Sequence, residues 1–137
     1  MPLILVIDDD EQIRDILRAF LQQAGYEVAE AADGREGVEC CQRNPADLAI
    51  IDLFMPEKEG LRAIVELKEK HPDLKIIAIS GGGRLGRTGL LSVAKDFGVQ
   101  RTFEKPFKMS EMLDAVEELL GYPFASFAPN FRLTFCR

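Results

Sequence analysis

Leu3-Ile4-Leu5-Val6-Ile7-Asp8-Asp9-Asp10 decides the reading of this chain: a short apolar run passes directly into three aspartates. A continuous aliphatic run of that length, with no polar alternation, is what a strand buried on both faces requires. Further strands are read at 26–31, 47–51, 75–79 and 100–103, and segments of helical period separate them. Ile13, Ile16, Leu17, Phe20, Leu21 and Ala24 share one helical face, and Gly25 stops it. Asp33-Gly34-Arg35-Glu36 has the form of a capping box opening a second helix, which ends before Asn44-Pro45. Leu61, Ile64, Val65 and Lys68 mark a third helix ending near His71-Pro72. Leu90, Val93, Ala94 and Phe97 carry a fourth, stopped by Gly98, and Met109, Met112, Leu113, Val116 and Leu120 a fifth, stopped by Gly121. Strict alternation with right-handed crossovers predicts an α/β fold: a doubly wound, five-stranded parallel sheet in the order 2-1-3-4-5, with five helices.

At 137 residues the chain suits one domain, expected over 1–121, and the aromatic-rich stretch 122–137 is expected to be a tail and not a second domain. Hydrophobic content of 47% and charged content of 29% exclude a disordered chain. No apolar run approaches the roughly 20 residues of a membrane helix. Met1-Pro2 enters a strand and not a signal peptide, so a cytoplasmic location is expected. The cysteine count is odd, and Cys40 and Cys41 are helical neighbours that cannot bridge without strain, which fits a reduced compartment. A net charge of −6 with no basic cluster argues against nucleic-acid binding.

In an open parallel sheet the C-terminal strand ends share one edge, and ligands bind there. Asp8 and Asp9 follow the first strand, Asp52 the third, Ser80 the fourth, and Glu104-Lys105 the fifth. Singly, each has an ordinary role: Asp9 or Asp10 as a helix cap, Asp52 in a loop, Ser80 in a turn, Lys105 as a solvated charge. Together they form a set at successive strand ends. Two carboxylates about 4 Å apart repel by roughly 4 kcal/mol at an effective dielectric near 20. A divalent cation relieves this, and an incomplete set of oxygen ligands suits Mg²⁺. The absence of His or Cys beside the cluster argues against zinc.

Val6-Ile7-Asp8-Asp9-Asp10, Asp52-Leu53-Phe54-Met55-Pro56 with Gly60, Ala78-Ile79-Ser80-Gly81 and Phe103-Glu104-Lys105-Pro106-Phe107 together resemble the response-regulator receiver domain of two-component signalling, over residues 3–120. The resemblance implies a flavodoxin-like receiver fold and a phosphoprotein carrying an aspartyl phosphate. It makes Asp52 the phosphoacceptor, with Mg²⁺ held by Asp8, Asp9, Asp52 and the backbone carbonyl of Phe54. Ser80 would hydrogen-bond the phosphoryl group, Lys105 would pair with it, and Ser80 and Phe103 would form the switch. The implied donor is a histidine kinase or phosphotransfer protein, because the only histidine, His71, lies away from this edge at a helix end. A downstream protein would dock on the face of the fourth helix, fifth strand and fifth helix. The domain would be a monomer or weak homodimer acting on no separate substrate, with self-phosphorylation and autodephosphorylation as its only chemistry. After Gly121 too few residues remain for an output domain, so a stand-alone receiver is expected.

The physics of the set agrees with those roles. A carboxylate is a weak nucleophile toward an anionic phosphoryl group, so neutralising charge is required in line with transfer. Gly81, Gly82, Gly83, Gly86 and Gly89 give the segment after Ser80 a backbone with little conformational preference. Gly81-Gly82-Gly83-Arg84-Leu85-Gly86-Arg87-Thr88 approaches a P-loop, but with arginine where the phosphate-binding lysine belongs. A haloacid-dehalogenase-like phosphatase with Asp8 as nucleophile is an alternative that leaves Asp52-Leu53-Phe54-Met55-Pro56 unexplained. A non-phosphorylated binding module on the same fold is another, although every chemical position is filled. Phe124, Phe127, Phe131 and Phe135 fall at near-helical spacing in the tail, but Pro123 and Pro129 break a regular helix.

Overall fold

A computed structural model describes residues 1–53, 59–81 and 94–121. The expectations for Phe54, Leu90, Val93, most of the glycine segment and the tail phenylalanines lie outside the described residues. Strands β1 (Leu3–Ile7), β2 (Glu27–Ala31), β3 (Leu48–Asp52), β4 (Lys75–Ser80) and β5 (Arg101–Glu104) form one parallel sheet in the order β2-β1-β3-β4-β5. Helices α1 (Glu11–Gln23), α2 (Gly34–Arg43) and α3 (Glu59–Lys70), a helical stretch described at 94–96 (α4), and α5 (Met109–Leu120) connect and cover the strands.

The central strands β1, β3 and β4 are buried on both sides because their alternate residues feed two cores. Leu5, Ile7, Ala49, Ile51, Ile76 and Ala78 pack with Val38 and Cys41 of α2, Ile64 and Leu67 of α3, and Ala94. Ile4, Val6, Ile50, Ile77 and Ile79 face the other way, onto Leu17 and Leu21 of α1 and Met112 and Val116 of α5. This period of two explains why β1, β3 and β4 read as apolar runs, while the edge strands β2 and β5 carry polar residues. Cys40 and Cys41 are both free thiols, and burial pushes the Cys41 thiol pKa up. Among the described residues no helix is long and apolar enough to cross a membrane.

Local signals hold with instructive exceptions. Asp33 caps α2 by accepting from the Glu36 amide at 2.8 Å, while the Glu36 carboxylate reaches back to the Ala32 amide at 2.9 Å. Gly25, Gly98 and Gly121 carry positive φ angles of 103°, 92° and 80°, the conformation that ends a helix at glycine. The apolar stripe of α1 is wider than its contact with the sheet. Leu17 and Leu21 are buried, whereas Ile16 and Phe20 remain 49% and 42% exposed. Phe97, expected in the core of the fourth helix, is instead 46% exposed. The helix closes in a turn at that point, with the Phe97 amide donating to the Ala94 carbonyl at 3.0 Å.

The start of α3 lies against the end of β3. A Cβ at Gly60 would stand 2.8 Å from the main-chain oxygen of Asp52 and 2.9 Å from Leu53 Cα, and neither backbone atom can move aside cheaply. Gly60→Ala is therefore expected to destabilise by about 1–3 kcal/mol through overpacking. Urea denaturation monitored by circular dichroism would measure it, and an unchanged midpoint would show that α3 is free to shift.

Candidate functional site

Parallel register sets the site. Ile7 pairs with Ile51, so Asp8 and Asp52 are the next residues along neighbouring strands, and Ser80 pairs with Glu104. Asp8, Asp52 and Ser80 are all buried, in contrast to Asp9, which is exposed. Carboxylate oxygens of Asp8, Asp9 and Asp52 lie within 4.8 Å of one another. Asp10 takes the capping role, its side chain accepting from the Gln12 amide at 2.9 Å. That leaves Asp8 and Asp9 to the cluster.

Lys105 reaches the cluster from the end of β5. Its amide donates to the Ser80 carbonyl at 2.9 Å, and the Lys105–Pro106 peptide is cis. Lys105 Nζ donates to Asp52 Oδ2 at 3.2 Å and stands 3.7 Å from Asp8 Oδ2. One ammonium thus faces two of the three carboxylates. The Asp8 carboxyl is pushed up to about 6, chiefly by burial. The Asp10 amide opposes that rise, the Asp52 charge reinforces it, and Lys105 pulls the other way.

Asp8 Oδ2 is buried and has no hydrogen-bond partner among the described residues. A buried acceptor left in that condition is costly, and here it borders other carboxylate oxygens. A hard divalent cation satisfies both conditions, so the donor set fits Mg²⁺. Phe54, the remaining ligand expected from sequence, lies outside the described residues.

Phe103 is half-buried against the core beneath α1 and α5. Its ring lies 5.7 Å from that of Phe107, tilted by 55°, with the Arg101 guanidinium 5.7 Å from its centroid. Arg101 also pairs with Glu118 of α5. His71 follows α3 and precedes β4, which places it toward the opposite edge of the sheet, and its Nε2 is buried without a hydrogen-bond partner among the described residues.

One participant escaped sequence reasoning. Arg14 on α1 donates from Nη1 to the main-chain oxygen of Asp8 at 2.7 Å. Its place on the polar side of an amphipathic helix carries no signal of that reach.

The sequence model of the response regulator receiver domain matches residues 4–117. Response regulator RR06 of Streptococcus pneumoniae is 36% identical over 117 residues, covering 85% of this chain and 52% of RR06, so the chain spans about half the length of that relative. Chemotaxis protein CheY of Thermotoga maritima is 34% identical over 117 residues, covering 85% of this chain and 95% of CheY. Among solved structures, response regulator TrrA of Thermotoga maritima, in complex with Mg²⁺ and BeF, superposes with a TM-score of 0.75 at 34% identity, covering 88% of this chain and all of TrrA (100%). Match, relatives and sheet order agree, and the chain belongs to the response regulator receiver domain family of two-component systems.

Proposed function

We propose that Asp52 accepts a phosphoryl group from the phosphohistidine of a histidine kinase or phosphotransfer protein, with Mg²⁺ held by Asp8, Asp9, Asp52 and the Phe54 carbonyl. The observation that carries this reading is the convergence of three carboxylates on one edge with Lys105 Nζ 3.2 Å from Asp52 Oδ2. A carboxylate oxygen of Asp52 attacks phosphorus, the P–N bond to the donor imidazole breaks, and an acyl phosphate remains on Asp52. Bound Mg²⁺ supplies neutralisation of the phosphoryl oxygens during transfer. Lys105 offsets charge from the β5 side, and Asp8 is held in place by the end of β1.

The receiver unit is assigned to residues 1–121, with 122–137 as a tail. Ser80 ends β4, one residue beyond the register partner of Asp52, and its hydroxyl would meet a phosphoryl group there. Phe103, two residues before Lys105, links that event to the face of α4, β5 and α5, where a downstream protein would dock.

Incubation of the full chain with a small acyl phosphate and Mg²⁺, followed by intact mass, tests the reading. One phosphoryl addition that disappears with chelator is expected, and no addition under any condition would overturn it. Lys105→Met should keep the fold, because the side chain is partly solvated at the sheet edge. It should slow phosphoryl uptake on the order of 10²-fold, the scale of losing one charge-stabilising group. A rate equal to wild type would remove Lys105 from the chemistry.

A further inference from the structure

We propose that Arg14 is a positioning residue for the carboxylate cluster, holding the main chain at Asp8 so that Asp8 and Asp9 present their oxygens to the cation. The inference rests on the phosphoryl-accepting reading above. Asp8 has four polar groups. Its amide donates to the Ala31 carbonyl at 3.2 Å, its Oδ1 accepts from the Asp10 amide at 2.9 Å, and its carbonyl accepts from Arg14 at 2.7 Å. Only Oδ2, which has no hydrogen bond and stands 3.7 Å from Lys105 Nζ, is left over for the cluster. Strand, loop and helix each fix one group, and Arg14 is the helix's contribution.

Arg14 is itself held. Its Nε lies 3.3 Å from Glu30 Oε1 on β2, Glu30 Oε2 accepts from Arg18 at 2.6 Å, and Arg18 pairs with Asp15 at 3.3 Å. The Arg14 side chain is only 16% exposed, unlike the fully solvated pairs that contribute little. The carbonyl of Asp8 and the amide of Asp9 belong to one planar peptide, so fixing the first fixes the direction in which Asp9 departs. A lysine could reach the carbonyl but lacks the planar fork that engages Glu30 as well.

Charge and positioning predict opposite signs. Arg14 is a cation near a cation site, so if it acted only through its charge, neutralising it would tighten Mg²⁺ binding. If it positions the ligands, its loss weakens Mg²⁺ about 10–100-fold, as losing a residue that orients a metal ligand usually does. Calorimetric Mg²⁺ titration of the full chain as wild type, Arg14→Gln, Arg14→Lys, Glu30→Gln and Tyr26→Phe decides between them. The last variant loses only the hydroxyl that donates to the Gly121 carbonyl and controls for a general loss of stability. The expected result is weakened binding in Arg14→Gln, a smaller loss in Arg14→Lys and Glu30→Gln, and an unchanged Kd in Tyr26→Phe. In metal-free Arg14→Gln, hydrogen exchange at the Asp10 amide should also accelerate. Unchanged or tighter Mg²⁺ binding by folded Arg14→Gln overturns the proposal. Should that variant not fold, wild-type affinity in both Arg14→Lys and Glu30→Gln overturns it equally. A wild type that neither binds Mg²⁺ nor takes phosphate defeats the functional reading, and this inference with it. A wild type that does both beside indifferent Arg14 variants defeats the inference alone.

Discussion

Asp52→Asn is expected to abolish phosphoryl incorporation completely while leaving the protein folded. Asparagine has the same shape and keeps one oxygen, but a neutral amide is not a nucleophile toward phosphorus at neutral pH. In the proposed reading the neighbouring carboxylates hold the cation and do not substitute for Asp52. Asp8 is tied at its amide, its carbonyl and Oδ1, and Asp9 lies exposed at the rim. Intact mass after treatment with an acyl phosphate and Mg²⁺ should show no change in the variant. A label that persists and maps to Asp8 would reverse the assignment in favour of the phosphatase-like arrangement, in which the first strand carries the nucleophile. Turnover of small phosphate esters by the variant would point the same way.

Asp8→Asn should make the metal-free protein markedly more stable at neutral pH. The Asp8 carboxyl rises from 3.8 to about 6 on folding, mainly through burial, so the folded state holds a proton that the unfolded chain has released. Stability rises with pH only where the unfolded state binds more protons; here the folded state binds more, so stability falls as pH climbs from about 3.8 to about 6. Below that window both states are protonated, and the full stability is present. Above it the loss approaches about 3 kcal/mol, since each tenfold difference in proton affinity between the two states is worth about 1.36 kcal/mol. Asparagine removes the charge yet can still accept from the Asp10 amide. In chelator at neutral pH its melting temperature should therefore rise by about 10 °C. The decline between pH 4 and pH 6 should flatten at the same time, by the amount this one carboxyl contributes. Mg²⁺ should narrow the gap, since wild type gains roughly 1.4 kcal/mol at ten times Kd while the variant has lost a ligand, and should reverse the ranking near 1,000 times Kd, where the gain reaches about 4.1 kcal/mol. Thermal melts across pH with and without Mg²⁺ check both halves. A variant no more stable than wild type in chelator would show that the buried carboxylate is already compensated.

The central strands β1, β3 and β4 were legible because both of their faces are buried and each announces itself as an apolar run, whereas the edge strands β2 and β5 carry polar residues and followed from alternation with helices. The convergence of Asp8, Asp9 and Asp52 followed from strand order alone, since strands β1 and β3 are neighbours. Assigning one aspartate to the helix was harder. Asp9 and Asp10 carry the same side chain, and only the extended backbone at Asp10, with φ of −91° and ψ of 109°, makes that residue the cap. Ile16, Phe20 and Phe97 look like core residues in the sequence because periodicity locates a face but not the width of its contact. Arg14 was invisible for the complementary reason: a polar-face residue declares its charge but not the carbonyl its long side chain will reach. Gly60 stands in the receiver pattern, but its cause, the close passage of α3 over Asp52, needs three dimensions.

Lys105 and Asp52 stand 53 residues apart in the chain and meet only when β3, β4 and β5 are all in register. No fragment that stops short of β5 can assemble the reactive edge, and neither can a ribosome-bound chain still lacking it. Long-range parallel pairing is also among the slower events in folding. If Asp52 takes phosphate as proposed, fast uptake would report that β5 has docked. The rate of that chemistry would then serve as a probe of how complete the sheet is.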